Sequence, residues 1–260
     1  MALVSAHRCG LPRGADDAAL REALAAIETL ACEYVEIDVQ RTADGAFVVR
    51  HDPMVVVDGQ PRAVAGLTLA QVRAGSQDVV SLDEALRMLA GRKLVHLDLK
   101  LASPVNLYDA SPESTHEVEA TRIAVREVGA DALVITSTED RGIAAVRAWS
   151  RTTYPDLLVG LTLGRSRAEE AWHLQLAGRL SDLFPGRRLT ACDASLVAAN
   201  HWLAWLSVAR QTARRGLPLL VWTVDGRRGL TRWLRDRRTW VVTTNQPARA
   251  LEIREQSDES

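Results

Sequence analysis

Four short, strand-like runs of this chain carry ionisable residues that could do chemistry: His7-Arg8 in "ALVSAHRCG", Glu36 and Asp38 in "YVEIDVQ", His51-Asp52 in "AFVVRHDP", and His96, Asp98 and Lys100 in "KLVHLDLK". A strand alternates faces, so Glu36 and Asp38 share one face while Val35, Ile37 and Val39 share the other. Buried charges cost several kcal/mol each unless they are paired or hold a metal. The carboxylates Glu36, Asp38 and Asp98 suit a hard divalent cation with oxygen ligands, Mg²⁺ or Ca²⁺. Arg8 and Lys100 suit a phosphate, Arg through its planar fork and Lys as a point charge. His7 and His51 suit a general acid and a general base, with the order of roles left open. Taken together these residue types read as a metal-assisted site for cleaving a phosphodiester.

The elements that must position them alternate short β-rich runs with longer amphipathic ones, the pattern of a parallel sheet with crossover helices. Strands are expected at 2–7, 34–40, 46–51, 94–100, 132–137, 157–163, 189–193, 218–224 and 239–244. That is one more than a closed eight-stranded barrel needs. Asp44-Gly45 is a hairpin signal, so 46–51 is expected to fold back on 34–40, with Asp38 opposite His51. The other eight strands then close a (β/α)8 TIM barrel with an extra hairpin strand, and its catalytic mouth gathers the C-terminal strand ends. Helices are expected at about 16–30, 82–90, 113–128, 139–150, 166–180, 195–215, 227–236 and 246–255. Residues 54–81 show weak periodicity and read as an irregular insertion or flap at the mouth. Nothing resembles a linker, so residues 1–260 are expected to form a single domain.

Lys plus Arg (32) nearly balances Asp plus Glu (33), which argues against a broad nucleic-acid or membrane surface and for local phosphate binding. Cys9, Cys32 and Cys192 lack metal-like spacing and form no disulfide framework. With no signal peptide and no apolar run long enough for a span, the expectation is a cytoplasmic protein without stable membrane insertion.

The segments "AHRCG", "VEIDVQRTADGAFVVRHDP", "VSLDEAL", "HLDLK", "VWTVD" and "VVTTNQP" resemble, in order and spacing, the HRG, E-x-D, DG-x-VV-x-HD, L-E-E-x-L, E-x-K, W-T-V-N and I-T-D-x-P landmarks of the glycerophosphodiester phosphodiesterase family. The similarity runs from about residue 5 to 250. It implies a TIM-barrel phosphodiesterase with one Mg²⁺ or Ca²⁺ ion, with His7 and His51 as the acid/base pair and a small-molecule phosphodiester as substrate. The products would be glycerol phosphate and an alcohol, which places the chain in lipid metabolism. The family insertion follows the HD motif, where residues 54–81 lie.

Four positions depart from the family's motifs, and its P-E-N-T motif is not legible between Pro12 and Ala19. Cys9 stands where the family has glycine, Asp98 replaces the Glu of E-x-K, Asp225 replaces the asparagine of W-T-V-N, and Asn245 replaces the aspartate of I-T-D. The D-x-K form also resembles the related sphingomyelinase D and phospholipase D enzymes of spider venom. Two alternatives follow: lysophospholipase D-like cleavage releasing a cyclic phosphate, and a barrel that binds a phosphorylated ligand without turnover.

Other residues have plainer readings. His96 is expected behind the site or in a structural role, and Trp222 either walls the substrate pocket or belongs to the barrel core. Trp202 and Trp205, at helical spacing, are expected in the core rather than as a membrane anchor. Cys9 reads as a small residue rather than a nucleophile, since nothing nearby in sequence stabilises a thiolate.

Overall fold

The computed structural model describes residues 1–12, 14–164 and 172–258. Its strands are β1 (Leu3–Ala6), β2 (Tyr34–Arg41), β3 (Phe47–Val49), β4 (Met54–Val57), β5 (Gln60–Ala63), β6 (Val80–Ser81), β7 (Leu94–Leu99), β8 (Leu133–Ser137), β9 (Leu158–Leu163), β10 (Leu196–Asn200), β11 (Leu219–Trp222) and β12 (Val241–Thr244). The order β1-β12-β11-β10-β9-β8-β7-β2 closes through β1–β2 pairing, every contact parallel. This is the expected (β/α)8 barrel, with helices in the crossovers.

The barrel interior is layered. Tyr34, Val134, Leu196, Leu220 and Val241, joined by Leu3, Leu94 and Leu158, make an apolar plug across the lower part. Gly160 is required there, because a Cβ on it would lie 2.4 Å from the Leu196 Cγ. Above the plug the inward residues turn largely polar: Glu36, His96, Thr136 and Thr243 lie one period of two beyond it on their strands, and Thr162 two periods beyond Leu158. Outward-facing Val35, Ile37, Val39, Val95, Leu97 and Leu99 join the main core beneath the helices.

Several expectations are corrected. The strand expected at 189–193 is a helix, Gly186–Ala191, and the strand is β10, inside the helix expected at 195–215. "LVAAN" is buried on nearly every residue, and a continuous apolar run of a parallel strand has no period to distinguish it from a buried helix. The expected hairpin register is off by one. Thr42 N–H donates to Ala46 O at 2.8 Å, so the loop holds Ala43, Asp44 and Gly45, with Gly45 at φ 91°. A three-residue loop ending in a left-handed glycine moves every pair by one, and Asp38 O accepts from Arg50 N at 2.9 Å instead of facing His51.

Residues 54–81 are not irregular. β4 and β5 form a hairpin, a helix spans Leu69–Gly75, and β6 pairs with β3. Val55, Val64, Leu67, Val72 and Val79 pack around Val48 in a small core of their own. Trp202 and Trp205 are not core residues, being 63% and 50% exposed. The helix expected at 166–180 begins outside the described residues, and its described part runs Trp172–Leu183.

Candidate active site

The strand ends deliver the chemistry to one place. His7 follows β1, Glu36 and Asp38 sit on β2, and Asp98 and Lys100 lie at the end of β7, with Glu36 beside His96 and Asp38 beside Asp98 in register. A cavity of about 440 Å³ at the C-terminal mouth is lined by His7, Arg8, Glu36, His51, His96, Asp98, Lys100, Thr136, Thr162 and Trp222, among others. An adjoining cleft of about 270 Å³ shares Arg8 and His51, adds Asp38, and is walled by Leu11, Pro12, Leu20, Ile37 and Val49. Every predicted site residue therefore borders one of two connected hollows. Trp222 lines the cavity while its ring also touches the barrel plug, so the two readings of it coincide. His51 reaches the cavity despite the register shift because the ladder ends at Val49 and the chain turns there.

Ligand atoms of Glu36, Asp38 and Asp98 lie within 4.8 Å of one another, and all three residues are buried. Burial, then repulsion from Asp38 and Asp98, pushes the Glu36 carboxyl well above the ordinary carboxylate range. Burial also acts to raise Asp98, but the ammonium of Lys100, hydrogen-bonded to it, holds it below that range. Lys100 is itself raised, its desolvation outweighed by Asp98 and Asp38, the latter at 3.3 Å. Neither oxygen of Asp38 accepts a hydrogen bond among the described residues, nor does Arg8 Nε donate one, although both are buried. Three buried carboxylates crowded together, with the Asp38 oxygens accepting no hydrogen bond among the described residues, are the donor set of a hard divalent cation, so the residues fit such an ion.

The loop after His7 is unusual in its backbone. Arg8, Cys9 and Gly10 follow one another at φ 49°, 56° and 77°. Two non-glycine residues in the left-handed region cost about 1–2 kcal/mol each. The turn aims the Arg8 amide at the acidic cluster, where it donates to Glu36 Oε2 at 2.7 Å. Cys9 keeps the glycine-like conformation, and burial, then the charge of Glu36, raises its thiol, which disfavours the thiolate that a nucleophile needs.

Three residues that support this set, Asn245, Asp225 and Thr136, are given no site role by the sequence reading. His7 Nδ1 lies 2.8 Å from Asn245 Oδ1, and Asn245 Nδ2 donates to Asp225 Oδ2, also at 2.8 Å. Asp225 Oδ1 accepts from the Asn245 backbone and from Thr244 Oγ1. With the amide so anchored, its oxygen faces His7, which assigns the proton to Nδ1 and leaves the Nε2 lone pair toward the cavity, 3.9 Å from Glu36 Oε2. Burial lowers His7 below an ordinary histidine, opposed by the Asn245 bond and by Asp38. His51 is lowered in the same way, with Asp38 again opposing. The third residue is Thr136, whose hydroxyl donates to Asp98 Oδ1 at 2.6 Å and lies 2.8 Å from His96 Nε2. His96 therefore stands behind Asp98, and burial lowers it to about 4. The available signal for Asn245 and Asp225 was their reciprocal exchange against the family pattern.

A closed (β/α)8 barrel whose mouth gathers three carboxylates, two histidines and two cations belongs with the TIM-barrel phosphodiesterases. The model of the glycerophosphoryl diester phosphodiesterase family matches residues 13–249, and the chain belongs to that family. It is an enzyme of the phosphoric diester hydrolase class. A candidate glycerophosphoryl diester phosphodiesterase from Silicibacter pomeroyi is 20% identical, with 99% of this chain and 94% of that one covered at a TM-score of 0.74. A glycerophosphodiester phosphodiesterase from Parabacteroides distasonis is 16% identical over 99% and 98% of the two chains, with a TM-score of 0.73. A phosphodiesterase from Oleispira antarctica, solved with its product sn-glycerol-3-phosphate, is 17% identical over 97% and 96%, with a TM-score of 0.67. No curated protein matches the sequence. Among the described residues no helix is long and apolar enough to cross a membrane.

Proposed function

We propose that this enzyme hydrolyses glycerophosphodiesters to glycerol phosphate and an alcohol, using His7 and His51 as the acid/base pair. The carrying observation is that both histidines, both cations and the acidic cluster border the same pair of joined cavities. Glu36, Asp38 and Asp98 would hold one divalent cation, Mg²⁺ or Ca²⁺, which when bound neutralises phosphate charge and polarises the phosphorus. Arg8 and Lys100 flank that cluster and supply donors for the non-bridging phosphate oxygens.

His7 is the base in this reading, because its Nδ1 proton is committed to Asn245 and its Nε2 lone pair faces the cavity. His51, exposed at the rim, protonates the leaving alcohol. The proton it gives is replenished from solvent, which reaches its ring directly. The adjoining cleft, with its Leu11, Leu20 and Val49 walls, offers space for the departing group.

Turnover of glycerophosphocholine with Mg²⁺ or Ca²⁺ tests the assignment. His7→Ala and His51→Ala should each lower kcat by about 10²–10⁴-fold with the fold intact. Near-normal turnover in either variant would remove that histidine from the chemistry. Phosphorus NMR of the product separates direct hydrolysis from release of a cyclic phosphate.

A further inference from the structure

The helical segment that follows β10 runs from His201 to Arg214 and turns Trp202, Trp205 and Leu206 outward, at 63%, 50% and 49% exposure. The two indoles pack edge to face at 6.1 Å. Beside it, Ser207 and Gln211 both donate to Leu183 O, so the helix Trp172–Leu183 lies alongside, and it exposes Leu174, Leu176 and Leu180. Apolar side chains presented together on this scale mark an interaction surface rather than ordinary solvent-facing residues.

This surface adjoins the active site. Asn200 at the end of β10 pairs in register with Trp222, which lines the catalytic cavity, and Asn200 caps the helix through the Trp202 amide at 3.0 Å. Trp202 thus sits at the barrel mouth, two residues beyond a strand end.

Charge identifies what covers it. Residues 172–238 carry 12 Arg and 4 Asp with no Lys or Glu, in a chain whose net charge is −1. Among the described residues only Arg188 and Arg238 of these form ion pairs. Arg232 lies over the Trp205 ring at 5.5 Å, its guanidinium at the edge of the apolar patch. Exposed indoles and leucines, with Arg232 over the Trp205 ring and Arg210 bonded to the Leu206 carbonyl, are what an anionic bilayer interface accepts: rings at headgroup level, alkyl groups below, guanidinium groups on the phosphates. A second copy of this chain would bring the same arginines against one another.

We propose that this face docks the enzyme reversibly on an anionic lipid surface, so that lipid phosphodiesters held in that surface are its substrates. The substrate half rests on the phosphodiesterase reading, whereas the docking half is measured without turnover. Flotation of the full chain with vesicles should show binding to mixed phosphatidylcholine and phosphatidylglycerol, little binding to phosphatidylcholine alone, and release by high salt. The double variant Trp202→Ala/Trp205→Ala should cut partitioning by about tenfold or more, and Arg228→Glu/Arg232→Glu should do the same. Both variants should keep the unfolding midpoint and the hydrolysis of soluble glycerophosphocholine, while hydrolysis of a lysophospholipid in the vesicles falls. Absence of binding to the anionic vesicles, or binding indifferent to both variants, would overturn the docking. So would a wild-type dimer that the Trp variant dissolves with no lipid bound. Binding without hydrolysis of the vesicle lysophospholipid would overturn the substrate half, and binding without turnover of any glycerophosphodiester would count against the phosphodiesterase reading while leaving the docking in place.

Discussion

Asp225→Asn changes one atom of a side chain that faces the amide of Asn245, and its effect should reach His7. In the native arrangement Asp225 accepts three hydrogen bonds, at 2.8, 2.9 and 3.1 Å, from Asn245 Nδ2, Asn245 N and Thr244 Oγ1. An asparagine at this position can still accept from the backbone amide and the Thr244 hydroxyl, but its own NH₂ then opposes the Asn245 NH₂. Either that charge-assisted bond is lost, at about 1.5–3 kcal/mol, or the Asn245 amide turns over. Turned over, it presents a donor to His7 Nδ1, which drives the proton to Nε2 and removes the lone pair from the cavity. A bias of that size is about 10–150-fold in the population of the useful tautomer, since about 1.4 kcal/mol is tenfold. The expected loss is therefore of that order in kcat for glycerophosphocholine hydrolysis, with KM little changed. The double variant Asp225→Asn/Asn245→Asp should recover most of the rate, because the exchanged carboxylate can accept both from His7 and from the exchanged amide. It should also move the acid limb of the kcat/KM profile to higher pH, since an anion beside His7 stabilises its protonated form. Asp225→Asn at the wild-type rate, or a double variant no better than the single one, would refute the idea that this pair orients His7.

Buried His96, lowered to about 4, makes a separate prediction about stability. Its folded value lies below the unfolded one of about 6.5, so from about pH 6.5 down to 4 the unfolded chain takes up a proton that His96 refuses, and stability falls by up to about 3 kcal/mol. Raised Glu36 acts in the opposite direction at acid pH, so urea unfolding of the wild type should be compared with His96→Gln, whose curve should be flatter across that window. An equal slope in both proteins would place the pH dependence elsewhere. Gly160→Ala should destabilise by about 1–3 kcal/mol through collision with Leu196, measured by the same unfolding, and a neutral result would show that the plug yields easily. Dialysis against EDTA should abolish turnover, with Mg²⁺ or Ca²⁺ restoring it. Asp38→Asn should weaken ion binding at least about tenfold by calorimetry, and turnover untouched by chelation would remove the ion from the reaction.

The site residues were legible because each lies within a strand or at its end, where a period of two and the C-terminal position declare both face and location. Glu36-x-Asp38 and Asp98-x-Lys100 needed no long-range information to be read as inward-facing pairs. β10 was not legible, since a strand buried on both faces carries no alternation, and "SLVAANHWLAWL" runs from strand into helix without a break in apolar character. The hairpin was legible as a hairpin but not in register. Whether Asp44-Gly45 closes a two-residue or a three-residue loop depends on Asp44 bonding both Thr42 Oγ1 and the Leu69 amide, 25 residues away. The insertion escaped for a similar reason, because its valines form a core only once β4, β5 and the following helix are folded over Val48.

What the chain determined by itself was the barrel class and the set of groups at its mouth, since both follow from β-rich runs recurring between amphipathic ones and from polar residues placed at the strand ends. What only the tertiary structure decided was how those groups are tuned and which surface surrounds them. Asn245 meets His7 across 238 residues of chain because β12 closes the barrel against β1. Trp202 and Trp205 face outward because the buried side of their helix is already taken by Ala204, Val208 and Ala209. Helical spacing marks one face of a helix but not which way it turns, and only packing against a neighbour settles that.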